Sequence, residues 1–349
     1  MAPTPEEALA DVVGRVFPGR PFTFEPLAGG ITNANFKVRL GTHDPVEAED
    51  VVVRIPGKGT HLLGIDRRAE AAANQVAALA GVAPELVGID PVTGGIVTRY
   101  IEGRAVPMEE LANEPMLGDV VATLGRVHRA GMVDASFDPF SVIRSYHDLA
   151  GRQGATEPFD YREAESLLSL VESVRPFQPS VLGHNDLLNS NLLHDGSLRI
   201  LDWEYAGMAD PFFDLANLSV NNELGHERDE SLLSHYLGAP DDATLAMLRL
   251  MKLVSELREA MWGVVQIAIS ELEIDLAAYA RERGERLARL VDELDPGRLA
   301  HQASLVRDQD RTLVFPGSKS GSSATRAGIW RPKIPTSTGR PGSASEAGR

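Results

Sequence analysis

The spacing of hydrophobic residues changes near residue 100 of the chain. Before that point apolar residues alternate in short segments typical of strands, at residues 22–27, 34–40, 51–55, 85–89 and 95–101. Two helices are predicted among these strands, at residues 5–17 and 67–80. Beyond Gly103 the apolar period becomes helical, which predicts helices at residues 115–131, 161–174, 210–237, 241–272 and 275–294. This order predicts an α+β fold with two lobes, a small β-rich N-lobe and a larger helical C-lobe.

The same pattern sets the expected boundaries. We predict an N-lobe at residues 1–101 and a C-lobe at residues 102–315, with a hinge near Thr98–Gly103. From residue 316 the chain is rich in Gly, Ser, Pro and Thr and has no apolar period. Residues 316–349 carry six Lys or Arg and one Glu, so they are predicted to be a disordered basic tail.

Composition narrows the classes of function. A hydrophobic content of 43% in 349 residues is enough to bury a substantial core. The formal net charge of −16 argues against nucleic acid as a partner, because binding phosphates needs clustered Lys and Arg. The absence of Cys excludes disulfides and Cys-based zinc sites. No signal peptide and no apolar stretch of about 20 residues is present, so we expect a cytoplasmic protein without a membrane span.

One segment interrupts the helical pattern. Residues 181–205 are predicted as strand, turn and strand, with Asp186 in the turn, Asn191 five residues later and Asp202 eleven residues after that. Phosphotransferases use this spacing to place one carboxylate beside the attacking hydroxyl and an Asn/Asp pair on magnesium. We therefore predict Asp186 as the catalytic base, Asn191 and Asp202 as metal ligands, and ATP and Mg²⁺ as cofactors.

Several segments in the same order resemble bacterial choline/ethanolamine kinases. They are Gly29–Val38, Val53–Thr60, Ile65–Glu70, His184–Asn191 and Asp202–Gly207, and the resemblance runs from about residue 8 to residue 295. These kinases share a protein-kinase-like fold with aminoglycoside phosphotransferases. The resemblance implies the same bilobal fold and phosphoryl transfer from ATP to a small-molecule acceptor.

The resemblance also implies a nucleotide site in the N-lobe. Arg54 would contact the phosphates, since a planar guanidinium suits phosphate oxygens, and Glu70 would pair with it. The turn before residue 34 would approach the phosphates, and the hinge would offer backbone groups to adenine. The implied cofactor-binding residues are Gly29, Gly30, Thr32, Asn33, Arg54, Glu70, Tyr100 and Ile101.

The acceptor site is matched less completely. Asp186, Glu204, Tyr205 and Trp262 are the expected acceptor-binding residues, since carboxylates and aromatic faces bind cationic amines. Glu259 stands where a second ring is expected and is included as a possible replacement. Asn221 lies where an acidic residue is expected. The acceptor could therefore be choline, ethanolamine, another amino alcohol or a sugar.

Two further residues have structural roles by the resemblance. His184 would brace the catalytic loop, and Asp214 would anchor it. Alternatives to an amino-alcohol kinase are an aminoglycoside or sugar kinase and a non-catalytic nucleotide-binding pseudokinase. A protein kinase is less consistent with the sequence, because D-F-G and A-P-E segments are absent.

Overall fold

A computed structural model describes residues 4–27, 33–41, 48–57, 59–177, 180–270 and 274–304. Its first hundred residues contain five strands: β1 (Phe22–Leu27), β2 (Asn33–Leu40), β3 (Glu49–Pro56), β4 (Leu86–Ile89) and β5 (Ile96–Arg99). They form one antiparallel sheet in the order β1-β2-β3-β5-β4. This sheet is the core of the predicted N-lobe.

Alternating side chains give this sheet one buried face. Phe36 and Val38 of β2 and Val51 and Val53 of β3 point to the same side, as the period of two in a strand requires. Helix α1 (Pro5–Val16) covers them with its apolar face, and a Thr4–Glu7 capping box fixes its start. The strands are thereby held in a fixed register.

Helix α2 (Arg67–Leu79) follows β3 and brings charge into the interior. The Asp66 side chain caps it by accepting from the N–H groups of Arg68 and Ala69, at 2.8 and 3.3 Å. Glu70 lies in the first turn and is buried. An acidic side chain is favoured at this end of the helix dipole, but its burial requires a partner.

The remaining chain is mainly helical, as predicted. The helices are α3 (Met108–Leu111), α4 (Glu114–His128), α5 (Pro139–Arg152), α6 (Tyr161–Val174), α7 (Pro211–Asn221), α8 (Asp229–Leu237), α9 (Asp242–Ile269), α10 (Leu276–Leu294) and α11 (Pro296–Ser304). Helix α9 is buried on nearly all sides and packs against α5, α7, α10 and α11. Its buried residues include the charged Lys252, Glu256, Arg258 and Glu259 beside the apolar ones, so the central helix of the C-lobe needs buried ion-pair partners.

Short strands hold the segment that interrupts the helices. They are β6 (Arg104–Ala105), β7 (Val181–Gly183), β8 (Leu192–His194), β9 (Leu198–Ile200) and β10 (Gly207–Ala209). Strand β7 pairs with β10, and β8 lies between β6 and β9, all antiparallel. The turns before β8 and after β9 are thus tied down at both ends.

Several features of the described fold differ from the sequence prediction. The single helix predicted at residues 210–237 is wrong: α7 ends at Asn221, and α8 begins at Asp229 after a turn. In that turn Glu223 and Gly225 have φ values of 51° and 73°, which a helix does not accommodate. Helices α5 and α11 were not predicted.

The described residues of both predicted lobes, 4–304 with the gaps given above, belong to one compact unit. The predicted basic tail, residues 316–349, lies outside the described residues. Among the helices that the structure describes, none has the length and apolarity needed to cross a bilayer.

The contact between β7 and β10 has no room for a side chain at Gly183. A Cβ added there would lie 2.7 Å from Ala209 Cβ and 2.9 Å from Asn185 Oδ1. We expect Gly183→Ala to lower the free energy of unfolding by about 1–3 kcal/mol through overpacking, measured by urea denaturation. Gly151→Ala is the matched control, because a Cβ added there in α5 would meet no described atom within 4 Å beyond its chain neighbours and the backbone of its own helix. It should stabilise by up to about 1 kcal/mol, and equal effects of the two changes would refute the packing argument.

Candidate active site

A cleft of ≈ 630 Å³ opens between the sheet and the helical part. Eleven of the residues expected at the site line it: Arg54, Glu70, Tyr100, Ile101, Asp186, Asn191, Asp202, Glu204, Tyr205, Glu259 and Trp262. Asn33 reaches the same region through hydrogen bonds. The predicted nucleotide-loop residues Gly29, Gly30 and Thr32 lie outside the described residues.

Asp214 fixes the turn that carries Asp186. Its carboxylate accepts from the backbone N–H groups of His184 at 2.8 Å and Asn185 at 2.6 Å, and it lies 3.0 Å from His128 Nε2. Burial by itself raises the pKa of Asp214, but the bonds from His128 and His184 hold that pKa below its ordinary value. Asp214 is therefore a charged anchor for the turn.

His184 braces the same turn. Its Nε2 donates to the Leu201 carbonyl at 2.8 Å, and its Nδ1 accepts from the Asp186 N–H at 3.3 Å. Burial lowers the pKa of the imidazole, so the ring is neutral and acts as a connector between two turns. This geometry agrees with the structural role expected for His184.

Asp186 and Asn191 are coupled through the backbone of the turn. The Asn191 Nδ2 donates to the Asp186 carbonyl at 3.0 Å, and the Asn191 carbonyl accepts from the Leu201 N–H at 2.8 Å. Because the amide nitrogen is engaged, the Asn191 Oδ1 is the atom left to act as a ligand. Burial raises the pKa of the Asp186 carboxyl, and the Arg258 guanidinium opposes that shift.

Arg54 joins the sheet to the catalytic segment. Its Nη1 pairs with Glu70, which confirms the predicted pair, and also lies 2.9 Å from Asp202 Oδ1. Burial by itself lowers the pKa of Arg54, but the carboxylates of Asp202 and Glu70 raise it above its ordinary value. A permanent positive charge is therefore held between two carboxylates.

A second arginine extends this network. Arg67 Nη1 lies 2.7 Å from Glu70 Oε2 and 3.1 Å from Glu204 Oε2, and its Nη2 donates to Asn33 Oδ1 at 2.9 Å. Asn33 Nδ2 in turn donates to Glu204 Oε2 at 2.9 Å. Strand β2, helix α2 and the segment after β9 are thus joined by one buried polar network.

The donor set fits a divalent cation bound with phosphate. Asp202 Oδ1 is buried and forms an ion pair with Arg54 Nη1 at 2.9 Å, which holds it at the cleft as an anionic oxygen. No cluster of three or more His, Asp or Glu able to hold a metal occurs in the described part of the chain. A cation at Asn191 and Asp202 would therefore need further oxygens, from nucleotide and water, as magnesium commonly has.

The hinge offers fewer backbone groups than expected. The Tyr100 N–H donates to the Asp50 carbonyl at 3.1 Å, so it is not available to an adenine edge. Of the two predicted residues, this leaves the Ile101 N–H as the candidate donor. The Tyr100 ring carries Lys37 Nζ at 4.1 Å from its centroid.

The far end of the cleft is built from aromatic and charged side chains. Trp262 Nε1 donates to Tyr205 Oη at 3.1 Å, and the Trp262 and Tyr279 rings meet edge to face at 5.6 Å. Glu259 Oε1 lies 2.5 Å from Arg258 Nη1, while its Oε2 accepts from Tyr279 Oη at 2.9 Å. The negative charge of Glu259 is therefore already balanced by the Arg258 guanidinium.

Among the residues missed in the sequence, Arg67 belongs to the network beside the cleft, while Arg258 and Tyr279 line it. Arg67 stands three positions before Glu70 and Arg258 stands four positions before Trp262, spacings that place each pair on one helix face. Those two could have been found from the helical period. Tyr279 could not, because it reaches the cleft only through the packing of α10 on α9.

Comparisons with known proteins agree with this architecture. The sequence model of the choline/ethanolamine kinase family matches residues 24–231. A probable ethanolamine kinase from Arabidopsis thaliana is 26% identical over 291 residues, covering 74% of this chain and 76% of that protein. The crystal structure of a choline/ethanolamine kinase family protein from Mesorhizobium loti is 31% identical, with a TM-score of 0.70 over 86% of this chain and 99% of that one.

A structure of LicA in complex with AMP shares the fold, with a TM-score of 0.63, 22% identity, and 82% and 96% of the two chains covered. Fold and cleft together define a small-molecule kinase of the protein-kinase-like class. The chain belongs to the choline/ethanolamine kinase family. It binds ATP and phosphorylates a small metabolite, and the aminoglycoside, sugar and pseudokinase alternatives are not favoured.

The anchoring role of Asp214 can be tested by Asp214→Asn. An amide has one acceptor oxygen, so one of the two backbone N–H groups would face an NH₂ donor in the interior. We expect the free energy of unfolding to fall by about 2–4 kcal/mol in urea denaturation, together with loss of kinase activity. Asp148→Asn, at an exposed position of α5, is the control and should change stability by less than about 0.5 kcal/mol. A variant as stable as the wild type would show that the carboxylate is not the anchor.

Proposed function

We propose that this kinase transfers the γ-phosphoryl group of ATP to the hydroxyl of an amino alcohol. The observation that carries the proposal is the convergence of Asp186, Asn191 and Asp202 on one cleft beside the Arg54–Glu70 pair. Phosphoryl transfer needs positioning and charge stabilisation more than covalent chemistry, and these side chains supply both. The amino alcohol follows from the family and from the carboxylates and rings at the far end of the cleft.

In this proposal Asp186 is the catalytic base. It would orient the acceptor hydroxyl and accept its proton as the oxygen attacks the phosphorus. A general base works best when its pKa approaches the working pH, and burial shifts the Asp186 carboxyl in that direction. The Asp214 and His184 contacts support the role by fixing the backbone on which Asp186 stands.

The nucleotide would lie along the sheet side of the cleft. Arg54 would contact phosphate oxygens while Glu70 restrains it, and the Ile101 N–H would donate to an adenine edge. Asn33 supports this region through its bonds to Arg67 and Glu204. Asn191 and Asp202 would hold Mg²⁺, which when bound neutralises phosphate charge. The lobe boundary near residue 101 then coincides with the adenine site.

The acceptor would occupy the other end, against Glu204, Tyr205, Glu259 and Trp262. All four line the cleft and lie with Asp186 on the helical side. A carboxylate can accept hydrogen bonds from an ammonium group, and ring faces attract cations. These residues are therefore the proposed determinants of acceptor binding.

The base assignment predicts the outcome of Asp186→Asn. The variant keeps the shape of the side chain but cannot accept the proton, so kcat should fall about 10²–10⁴-fold in a coupled ADP-release assay with ethanolamine and choline. ATP affinity, measured by calorimetry, should stay within a few-fold of the wild type. Asp148→Asn is the control and should retain full turnover. Substantial turnover by Asp186→Asn would remove Asp186 from the role of base.

The metal assignment predicts a separate effect of Asp202→Asn. An amide replaces an anionic oxygen, so the Mg²⁺ concentration needed for half-maximal ATP binding should rise at least about tenfold. Calorimetric titration of ATP at a series of Mg²⁺ concentrations measures this without relying on turnover. Asp148→Asn should leave the Mg²⁺ dependence unchanged. An unaltered dependence in Asp202→Asn would show that this carboxylate is not a metal ligand.

A further inference from the structure

Two of the three rings at the acceptor end already face positive charges of the protein itself. The Arg258 guanidinium lies over the Tyr205 ring, with Cζ 4.4 Å from the centroid. The Arg283 guanidinium lies over the Tyr279 ring at 5.1 Å, and the Trp262 ring meets Tyr279 edge to face. Ring surface that could attract a cationic ligand is therefore partly covered.

Arg258 is firmly held in this position. It is buried, and its Nη1 lies 2.5 Å from Glu259 Oε1 and 3.5 Å from Asp186 Oδ1. The guanidinium is not deprotonated in proteins, so its positive charge is permanent. Its Nε and Nη2 have no hydrogen-bond partner among the described residues. Arg258 thus adds a fixed cation and unused donors to the acceptor end.

Primary and quaternary ammonium groups respond differently to such a site. A primary ammonium is compact and donates up to three hydrogen bonds to carboxylate oxygens. A quaternary ammonium donates none and depends on open ring faces for its recognition. Asp186 and Glu259 line the cleft and are bonded to the protein, but an ionised carboxylate has about four lone-pair sites, so a compact donor can share them. Glu204 also lines the cleft, with its Oε2 bonded to Asn33 and Arg67. Arg258 meanwhile covers the Tyr205 face.

We propose that Arg258 makes this enzyme selective for acceptors with a primary ammonium group and excludes those with a quaternary one. The inference rests on the proposed transfer to an amino alcohol, and it assigns a specificity-determining role to a residue outside the predicted site. Ethanolamine should then be a better acceptor than choline, since the two differ only in the methyl groups on nitrogen.

The first experiment compares kcat/KM for ethanolamine and choline in the wild type and in Arg258→Leu and Arg258→Lys. The wild type should favour ethanolamine by at least about tenfold. Arg258→Leu uncovers the Tyr205 face and frees the Glu259 carboxylate, so the ratio should shift towards choline by about tenfold. Arg258→Lys keeps a cation near the ring and should retain the preference for ethanolamine. The ratio is informative because a general loss of activity lowers both terms equally.

The second experiment uses tetramethylammonium as a binding probe in calorimetry, independent of turnover. Arg258→Leu should bind it at least about tenfold more tightly than the wild type or Arg258→Lys. If no amino alcohol is phosphorylated, the proposed function fails, while this titration still decides the role of Arg258. Equal binding of the probe by wild type and Arg258→Leu, or a wild type that prefers choline, would overturn the inference.

A double variant keeps the test valid if Arg258→Leu folds poorly. Removing the guanidinium leaves the buried Glu259 carboxylate without its cation, which is a destabilising change. Arg258→Leu combined with Glu259→Gln removes both charges and retains the rings. It should fold more stably than the single variant and still bind tetramethylammonium more tightly than the wild type. A folded double variant with wild-type discrimination would also count against the proposal.

Discussion

The Arg54 guanidinium, held between the Glu70 and Asp202 carboxylates, is the interaction on which the rest of the cleft depends. It joins strand β3, helix α2 and the turn after β9 at one point. Removing one partner from a buried ion pair is costly, at about 3–5 kcal/mol, because the remaining charge stays in the interior. The three elements are therefore stable only in an arrangement that brings these groups together. The same constraint orients Asp202 towards the cleft.

Backbone geometry at two turns follows from this requirement. Asn185 and Asp202 both have positive φ, 67° and 64°, in the left-handed region that non-glycine residues seldom adopt. The local cost is offset by contacts of the surrounding structure, including the bond from Asn185 Nδ2 to the Tyr205 carbonyl at 2.9 Å. Asn and Asp tolerate this region better than most residues. Backbone strain is thus found at the two turns that orient the Asp186 and Asp202 side chains towards the cleft.

The sequence predicted those parts of the fold and site that depend on local spacing. Strands 22–27 and 86–89 and helix α6 could be found because their apolar residues recur with the period of a strand or of a helix. Helix α5 was missed although Phe140, Ile143 and Tyr146 repeat at intervals of three and Asp138 caps its start. The break between α7 and α8 was also readable from Gly225. Long-range contacts could not be predicted in this way, because no residue close to Arg258 in the chain indicates that it contacts Tyr205 or Asp186.

Charge pairing explains how an acidic chain can form a site for an anionic nucleotide. The formal net charge is −16, yet Arg54, Arg258 and Arg283 line the cleft, and Arg67 lies behind Glu70 and Glu204. Arg54 is on the proposed nucleotide side, and Arg258 and Arg283 are on the proposed acceptor side. Each is paired with a carboxylate, so neither half carries a large excess charge before ligands arrive. Asp186 lines the cleft together with both networks, and its Oδ1 lies 3.5 Å from Arg258 Nη1. Burial raises the pKa of the Asp186 carboxyl, the Arg258 guanidinium opposes that shift, and the carboxylates of Glu259 and Asp202 add to it. The proposed base therefore responds to charges on both sides of the cleft.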